Sequence, residues 1–125
     1  MKTTPKRFNV LGVGVHPINL DSAAGLIAQA IARREPRYVA VTGVHGVSVA
    51  QEDPGFRAIL NRAYLCTPDG MPLVWMGRLQ GHHETRRVYG PDLMLRLCDE
   101  GRARGWRHFF CGGRAGVAGR LADRL

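Results

Sequence analysis

Short apolar runs alternate with segments of helical period along this chain, and that alternation narrows the fold more than any other feature. "FNVLGVGV" at 8–15, "YVAVT" at 38–42, "YLCT" at 64–67 and "RHFFC" at 107–111 read as strands. After the first of them, Ala23, Ala24, Ile27, Ala30 and Ile31 keep helical spacing behind a cap at Asp21 or Ser22. Arg33 and Arg34 suit the C-terminal end of that helix, and Pro36 follows its stop. A short helix fits 45–52, and Asp53-Pro54 opens another with Phe56, Ile59, Leu60 and Ala63 on one face. A helix over about 70–79 follows "YLCT". Gly90-Pro91 opens the clearest helix, carrying Leu93, Met94, Leu97 and Cys98 and closed by Gly105. Val117, Leu121 and Leu125 mark a final stripe.

Strands that alternate with helices predict an α/β fold, with a parallel, Rossmann-like sheet and helices on both of its faces. The 125 residues, 45% hydrophobic, suffice for one domain and one core over 1–125. A doubly wound fold follows each crossover helix with a further strand. Here the last residues lie inside a helix, so the chain is expected to be the N-terminal part of a longer domain.

The bulk properties exclude several classes. No apolar run approaches the ~20 residues of a membrane-spanning helix, and the basic first residues do not lead into a signal sequence. Cys66, Cys98 and Cys111 lack metal or redox spacing and read as reduced, buried thiols of a cytosolic protein. The formal net charge of +8 favours an anionic partner: nucleic acid, phospholipid head groups or a phosphorylated substrate. Only Arg107-His108-Phe109-Phe110 mixes basic and aromatic residues as nucleic-acid modules do, and it looks like a buried strand.

Several short stretches sit where ligands of parallel sheets bind. Asp69-Gly70 follows a strand and Pro68, at a strand's carboxyl end, where side chains face the ligand crevice. The carboxylate is either a helix N-cap or a catalytic group. Thr42 and His45, in "TGVHG", end the preceding strand in the same way and are candidates to hold substrate, or form a capped turn. "FFCGGRAGVAGRL" places Gly112 and Gly113 between a strand and a helix, as a phosphate-cradling loop or an ordinary turn. Arg86-Arg87 reads as surface charge or as a loop arginine aimed at a diphosphate. "GVGVHP" at 12–17 has proline where a dinucleotide fingerprint needs its third glycine, and no acidic residue ends the next strand, which excludes a nicotinamide or flavin site. His82-His83-Glu84 has no recognised ligand spacing and reads as a solvated loop, so no metal and no cofactor are expected.

In order, "VTGVHGVSVAQEDPGFRAILNRAYLCTPDGMPLVWMGRLQG", "RRVYGPDLM" and "HFFCGGRAGVAGRLADRL" resemble the WecG/TagA/CpsF family of bacterial glycosyltransferases from about residue 8 onward. The resemblance implies a metal-independent, inverting hexosyltransferase. Such an enzyme moves an N-acetylmannosamine-like sugar from a UDP donor to N-acetylglucosamine on undecaprenyl diphosphate, in cell-surface polysaccharide or teichoic acid biosynthesis. It implies Asp69 as general base, Thr42 as the matched threonine, and Arg87 as the matched loop arginine. Arg87 and the amides near Gly112 and Gly113 would meet the leaving diphosphate, and Thr42 and His45 would orient sugar hydroxyls. It also implies a cytoplasmic location, peripheral at the inner face of the plasma membrane, and leaves homo-oligomerisation open. The chain departs from the pattern at Val44, where many members carry asparagine, so the donor sugar can differ. Family members continue past residue 125 with nucleotide contacts and a membrane-associating tail, so the chain alone is expected to be an incomplete enzyme. The rival class is a non-catalytic α/β domain that binds a phosphorylated ligand or nucleic acid.

Overall fold

The first apolar run turns back on itself instead of extending as one strand. In the computed structural model, which describes residues 3–125, β1 (Phe8–Val10) and β2 (Val13–Val15) form an antiparallel hairpin. The reversal is at Leu11 and Gly12, whose φ angles of 49° and 88° are those of a two-residue primed turn, the type that matches strand twist. The Asn9 side chain accepts the Gly12 N–H at 2.8 Å, and Asn61 brackets the turn by donating to Gly12 O and accepting from Gly14 N. A turn built on Leu-Gly carries a weaker signal than Asn-Gly, so the sequence reads as continuous strand.

The rest of this first unit, which ends at Gly90, follows the expected alternation. Helix α1 (Leu20–Ala32) is capped by Asn19, ahead of the expected Asp21 or Ser22, in a reciprocal capping box with Ser22. Arg34, at φ 55°, then turns the chain out of the helix. Strand β3 (Val39–Thr42) precedes α2 (Val44–Glu52) and α3 (Pro54–Arg62), the latter capped by Asp53 with Pro54 in its first turn. Strand β4 (Leu65–Pro68) pairs parallel to β3, with Val39 opposite Leu65 and Thr42 opposite Pro68. Helix α4 (Met71–Leu79) follows. Phe8, Val10, Val13, Val15, Val47, Ala50, Leu60, Cys66 and Leu73 form the core, to which hairpin, helices and parallel pair all contribute. This is the mixed α/β, Rossmann-like layering that the alternation predicts, on a small parallel sheet.

Two residues at the head of the chain fasten hairpin to sheet. Arg7 donates to the carbonyls of Gly14 (2.9 Å), Leu60 (3.1 Å) and Ala63, which ties the hairpin to the end of α3. His16 is buried; its N–H donates to Cys66 O and its Nδ1 accepts the Cys66 N–H, both at 2.9 Å. The imidazole thus stands in for a backbone carbonyl and carries the ladder from the hairpin to β4.

The second unit, Pro91–Leu125, holds most of α5 (Gly90–Arg104) and α6 (Val117–Arg124). Gly105, at φ 70°, ends α5 as expected. Trp106 and His108 fold back on Gly101, where a β-carbon would come within 3.0 Å of the tryptophan and 2.9 Å of the histidine. The expected strand at 107–111 is not formed, and Phe109 is 92% exposed. A strand requires a neighbouring ladder, and this unit offers only helices. Two of the cysteines differ from expectation: Cys66 is buried, but Cys98, in α5, is half-buried and Cys111, in the run that forms no strand, is exposed.

Burial, with the Arg7 guanidinium adding to it, pushes the His16 imidazole down to about 4 from 6.5. The folded state therefore refuses a proton that the unfolded chain accepts below pH 6.5. Stability falls as pH drops from 6.5 to about 4, by about 3 kcal/mol over that window, and is level in this respect above it. His16→Asn keeps an acceptor near the Nδ1 position and removes the titration. Denaturant unfolding from pH 7.5 to 4 should show this slope in the parent and a markedly flatter profile in the variant.

Candidate functional site

The site is set by the ends of the two parallel strands. Asp69 N–H donates to Thr42 O at 2.9 Å, one step beyond the last strand pair, so β3 and β4 end side by side with Asp69 at the end of β4. Gly43 and Gly70 then start α2 and α4. A β-carbon at Gly43 would lie 3.0 Å from the Asp69 carbonyl oxygen, so only glycine fits there without displacing the Asp69 backbone. Gly70 has φ 153°, a region closed to residues with side chains.

Asp69 does not cap the helix behind it. The N-cap of α4 is Gly70, and no side chain bonds the first-turn amides; α2 likewise starts from Gly43 without a side-chain cap. Two helices therefore begin with uncapped amides at the carboxyl end of the same strand pair, where their dipoles favour negative charge. The sequence signal for this is glycine in both cap positions, after Thr42 and after Asp69.

The Asp69 carboxylate instead meets Arg87, whose Nε lies 3.3 Å from Oδ1. The loop that brings Arg87 there is pinned from inside. Val88 is fully buried and its N–H donates to Pro68 O at 2.8 Å, while buried Thr85 donates to His82 O at 2.8 Å. Arg86 and Arg87 are left pointing outward between these anchors. The Arg87 guanidinium lies 4.6 Å from the Tyr89 ring centroid, a cation–π contact that limits its freedom. Gly90 closes this corner, its α-carbon facing Val41 and the Asp69 carboxylate.

The other expected residues are placed differently. Thr42 is buried, and its hydroxyl faces inward to Cys66 Sγ at 3.1 Å and Ala40 O at 3.3 Å; what it gives the site is its carbonyl, which holds Asp69. Burial pushes the Cys66 thiol up, against the pull of the Thr42 hydroxyl and Arg7. His45 is exposed in the first turn of α2. Gly112 and Gly113, at φ 125° and 72°, are exposed in the second unit, but Gly116, not they, caps α6. Thr67, beside Pro68, is fully buried, and its hydroxyl has no hydrogen-bond partner among the described residues.

The remaining motifs resolve as structure. "GVGVHP" lies in and after the hairpin turn, and no helix begins on its glycines. His82 stacks on Phe8 and lies 3.7 Å from Glu84, and no group of metal-ligating side chains occurs among the described residues.

A sequence model of the WecG/TagA/CpsF glycosyl transferase family matches residues 8–125, including both glycine-started helices and the Arg87 loop. The chain belongs to the WecG/TagA/CpsF glycosyl transferase family. No curated protein matches it. Membership makes it a glycosyltransferase acting on a sugar donor and an acceptor. Among the described residues no helix is long and apolar enough to cross a membrane.

Because Asp69 is free of capping duty, Asp69→Asn should change folding stability by less than ~1 kcal/mol, the range of a partly exposed ion pair. Chemical denaturation measures this directly. A larger loss would mean that the carboxylate supports the start of α4 after all.

Proposed function

We propose that Asp69 is the general base of an inverting sugar transfer from a UDP donor. The acceptor would be N-acetylglucosamine on undecaprenyl diphosphate, and the sugar moved would resemble N-acetylmannosamine. The observation that carries this reading is the Asp69 carboxylate itself: set at a strand end by the backbone bond to Thr42 O, free of capping, and paired with the exposed Arg87. Asp69 takes the proton of the acceptor hydroxyl while that oxygen forms its bond to the anomeric carbon. The bond from that carbon to the UDP oxygen breaks on the opposite face, and the pair of electrons leaves with the diphosphate.

The leaving diphosphate carries the charge that must be stabilised. Arg87 suits it, because the guanidinium that now contacts Asp69 can turn to phosphate oxygens and leave the carboxylate open to the acceptor. The uncapped amides of α2 and α4 add positive potential at the same end of the strand pair. With these groups the reaction proceeds without a metal. His45, exposed at the start of α2, orients sugar hydroxyls, and Thr42 acts by fixing Asp69. The enzyme works at the inner face of the plasma membrane, where the lipid-linked acceptor is held.

Asp69→Asn should leave UDP-sugar binding intact and cut turnover by about 10²–10⁴-fold, the range for a lost general base. Titration calorimetry and a radiolabelled-sugar transfer assay separate the two effects, and a turnover loss under threefold would exclude Asp69 as base. Arg87→Ala should weaken binding of the diphosphate-bearing substrates by about 10–100-fold, as expected for a lost charge-assisted contact. Unchanged constants for donor and acceptor would remove Arg87 from the site.

A further inference from the structure

Helix α4 is apolar both where it is buried and where it faces solvent. Its inner side is Leu73, Val74 and Gly77. At about 100° per residue, Met71, Pro72, Trp75, Met76 and Leu79 fall within an outer arc of about 140°. All five are exposed, Trp75 at 60% and Leu79 at 81%. Arg78 is the one charged residue of the helix, and it sits at the edge of this arc with its Nε donating to Thr85 O. Surface helices normally turn a polar face to water, and a helix apolar all round is normally covered. A contiguous exposed patch of this kind marks an interaction surface.

We propose that the outer face of α4 docks on the head-group region of an anionic bilayer, which sets the Asp69 site at the lipid surface. This rests on the reading of a lipid-linked acceptor. Charge complementarity favours lipid over a second copy of this chain. The apolar arc is bordered by Arg78, whose bond to Thr85 O brings it next to Arg86 in the chain; Arg87 pairs with Asp69, and Glu84 is the one other acidic residue from Asp69 to Gly90, in a chain of net charge +8. Two such faces brought together would oppose like charges, whereas an anionic surface would neutralise them. Trp75 supplies an indole of the kind that settles at the boundary of acyl chain and head group. Nine residues extend about 14 Å, too short to span a bilayer of about 30 Å, so the helix lies in the plane of the interface. Met71 is two residues from Asp69, so a docked α4 holds the carboxylate about one helical turn from the head groups. The sugar hydroxyl of a lipid-linked acceptor could then reach the base while its lipid stays in the membrane.

The test is partition of the full chain onto phosphatidylglycerol–phosphatidylcholine vesicles and onto vesicles of phosphatidylcholine alone. In a Trp106→Phe background the emission of Trp75 reports its own environment. Binding to the anionic vesicles with a blue shift of that emission is expected. Trp75→Ser with Leu79→Ser should weaken it at least about ten-fold, while Trp75→Phe with Leu79→Ile should stay within about threefold of the parent. Circular dichroism checks that each variant is folded. Asp69→Asn should bind vesicles as the parent does. Vesicle binding unaffected by the double serine variant would overturn the proposal. So would a concentration-dependent dimer that the double serine variant loses, with no vesicle binding, because the face then belongs to a second copy. The two readings fail separately: lost docking with transfer intact on a short-chain soluble acceptor leaves the chemistry standing, and intact docking without transfer leaves the surface standing.

Discussion

The first unit depends on the pair of hydrogen bonds between His16 and Cys66. Hairpin and parallel pair are separate two-stranded ladders, and two strands alone are marginal in water. By accepting the Cys66 N–H with a ring nitrogen and donating its own N–H to Cys66 O, His16 joins them at the middle of the core. An imidazole does this only while neutral, since the protonated ring has no acceptor left. Burial keeps it neutral at physiological pH. The same junction fixes Cys66 against the Thr42 hydroxyl, which locks the register of β3 on β4 and with it the place where both strands stop.

That register places the site. Thr42 opposite Pro68 leaves Thr42 O free to receive the Asp69 N–H, and Pro68 O free to receive the Val88 N–H. A slip of one residue would turn every side chain of β4 to the other face, exchanging the buried Cys66 for Thr67. The proximity of Asp69 and Arg87, 18 residues apart, therefore follows from backbone bonds at the strand end; their own ion pair is a weak surface contact that could not bring them together.

Much of this was legible in the sequence because it rests on local patterns. The apolar spacing and capping residues give α3 and α5, the compact runs give β3 and β4, and the order of the Asp69 and Arg87 motifs gives the family. What was not legible depends on long-range pairing. The inward turn of the Thr42 hydroxyl follows from which residues stand opposite each other on β3 and β4, and no single strand encodes that. His16 finds its partner Cys66 50 residues away, so its role in the sheet has no local signal. The run at 107–111 has the composition of a strand, but composition supplies no neighbour to pair with, and β propensity without a ladder does not make a strand.

The question raised by a carboxylate before an apolar helix has an answer in what the helix start lacks. A side-chain cap is worth about 1 kcal/mol over alanine, and Asp69 stands one residue away from the position where it could supply one. Glycine takes that position in α4, and glycine takes it again in α2. Capping would have bonded the carboxylate to the first-turn amides and cancelled the positive end of the dipole. Leaving both helices uncapped keeps a carboxylate and two anion-favouring helix ends apart within one small region. Against a polar cap, glycine forgoes only a few tenths of a kcal/mol at each start, a small departure from local folding rules that leaves both sets of first-turn amides open. The apolar outer face of α4 breaks a second such rule on the helix that starts beside Asp69, so both departures from good folding practice converge on that residue.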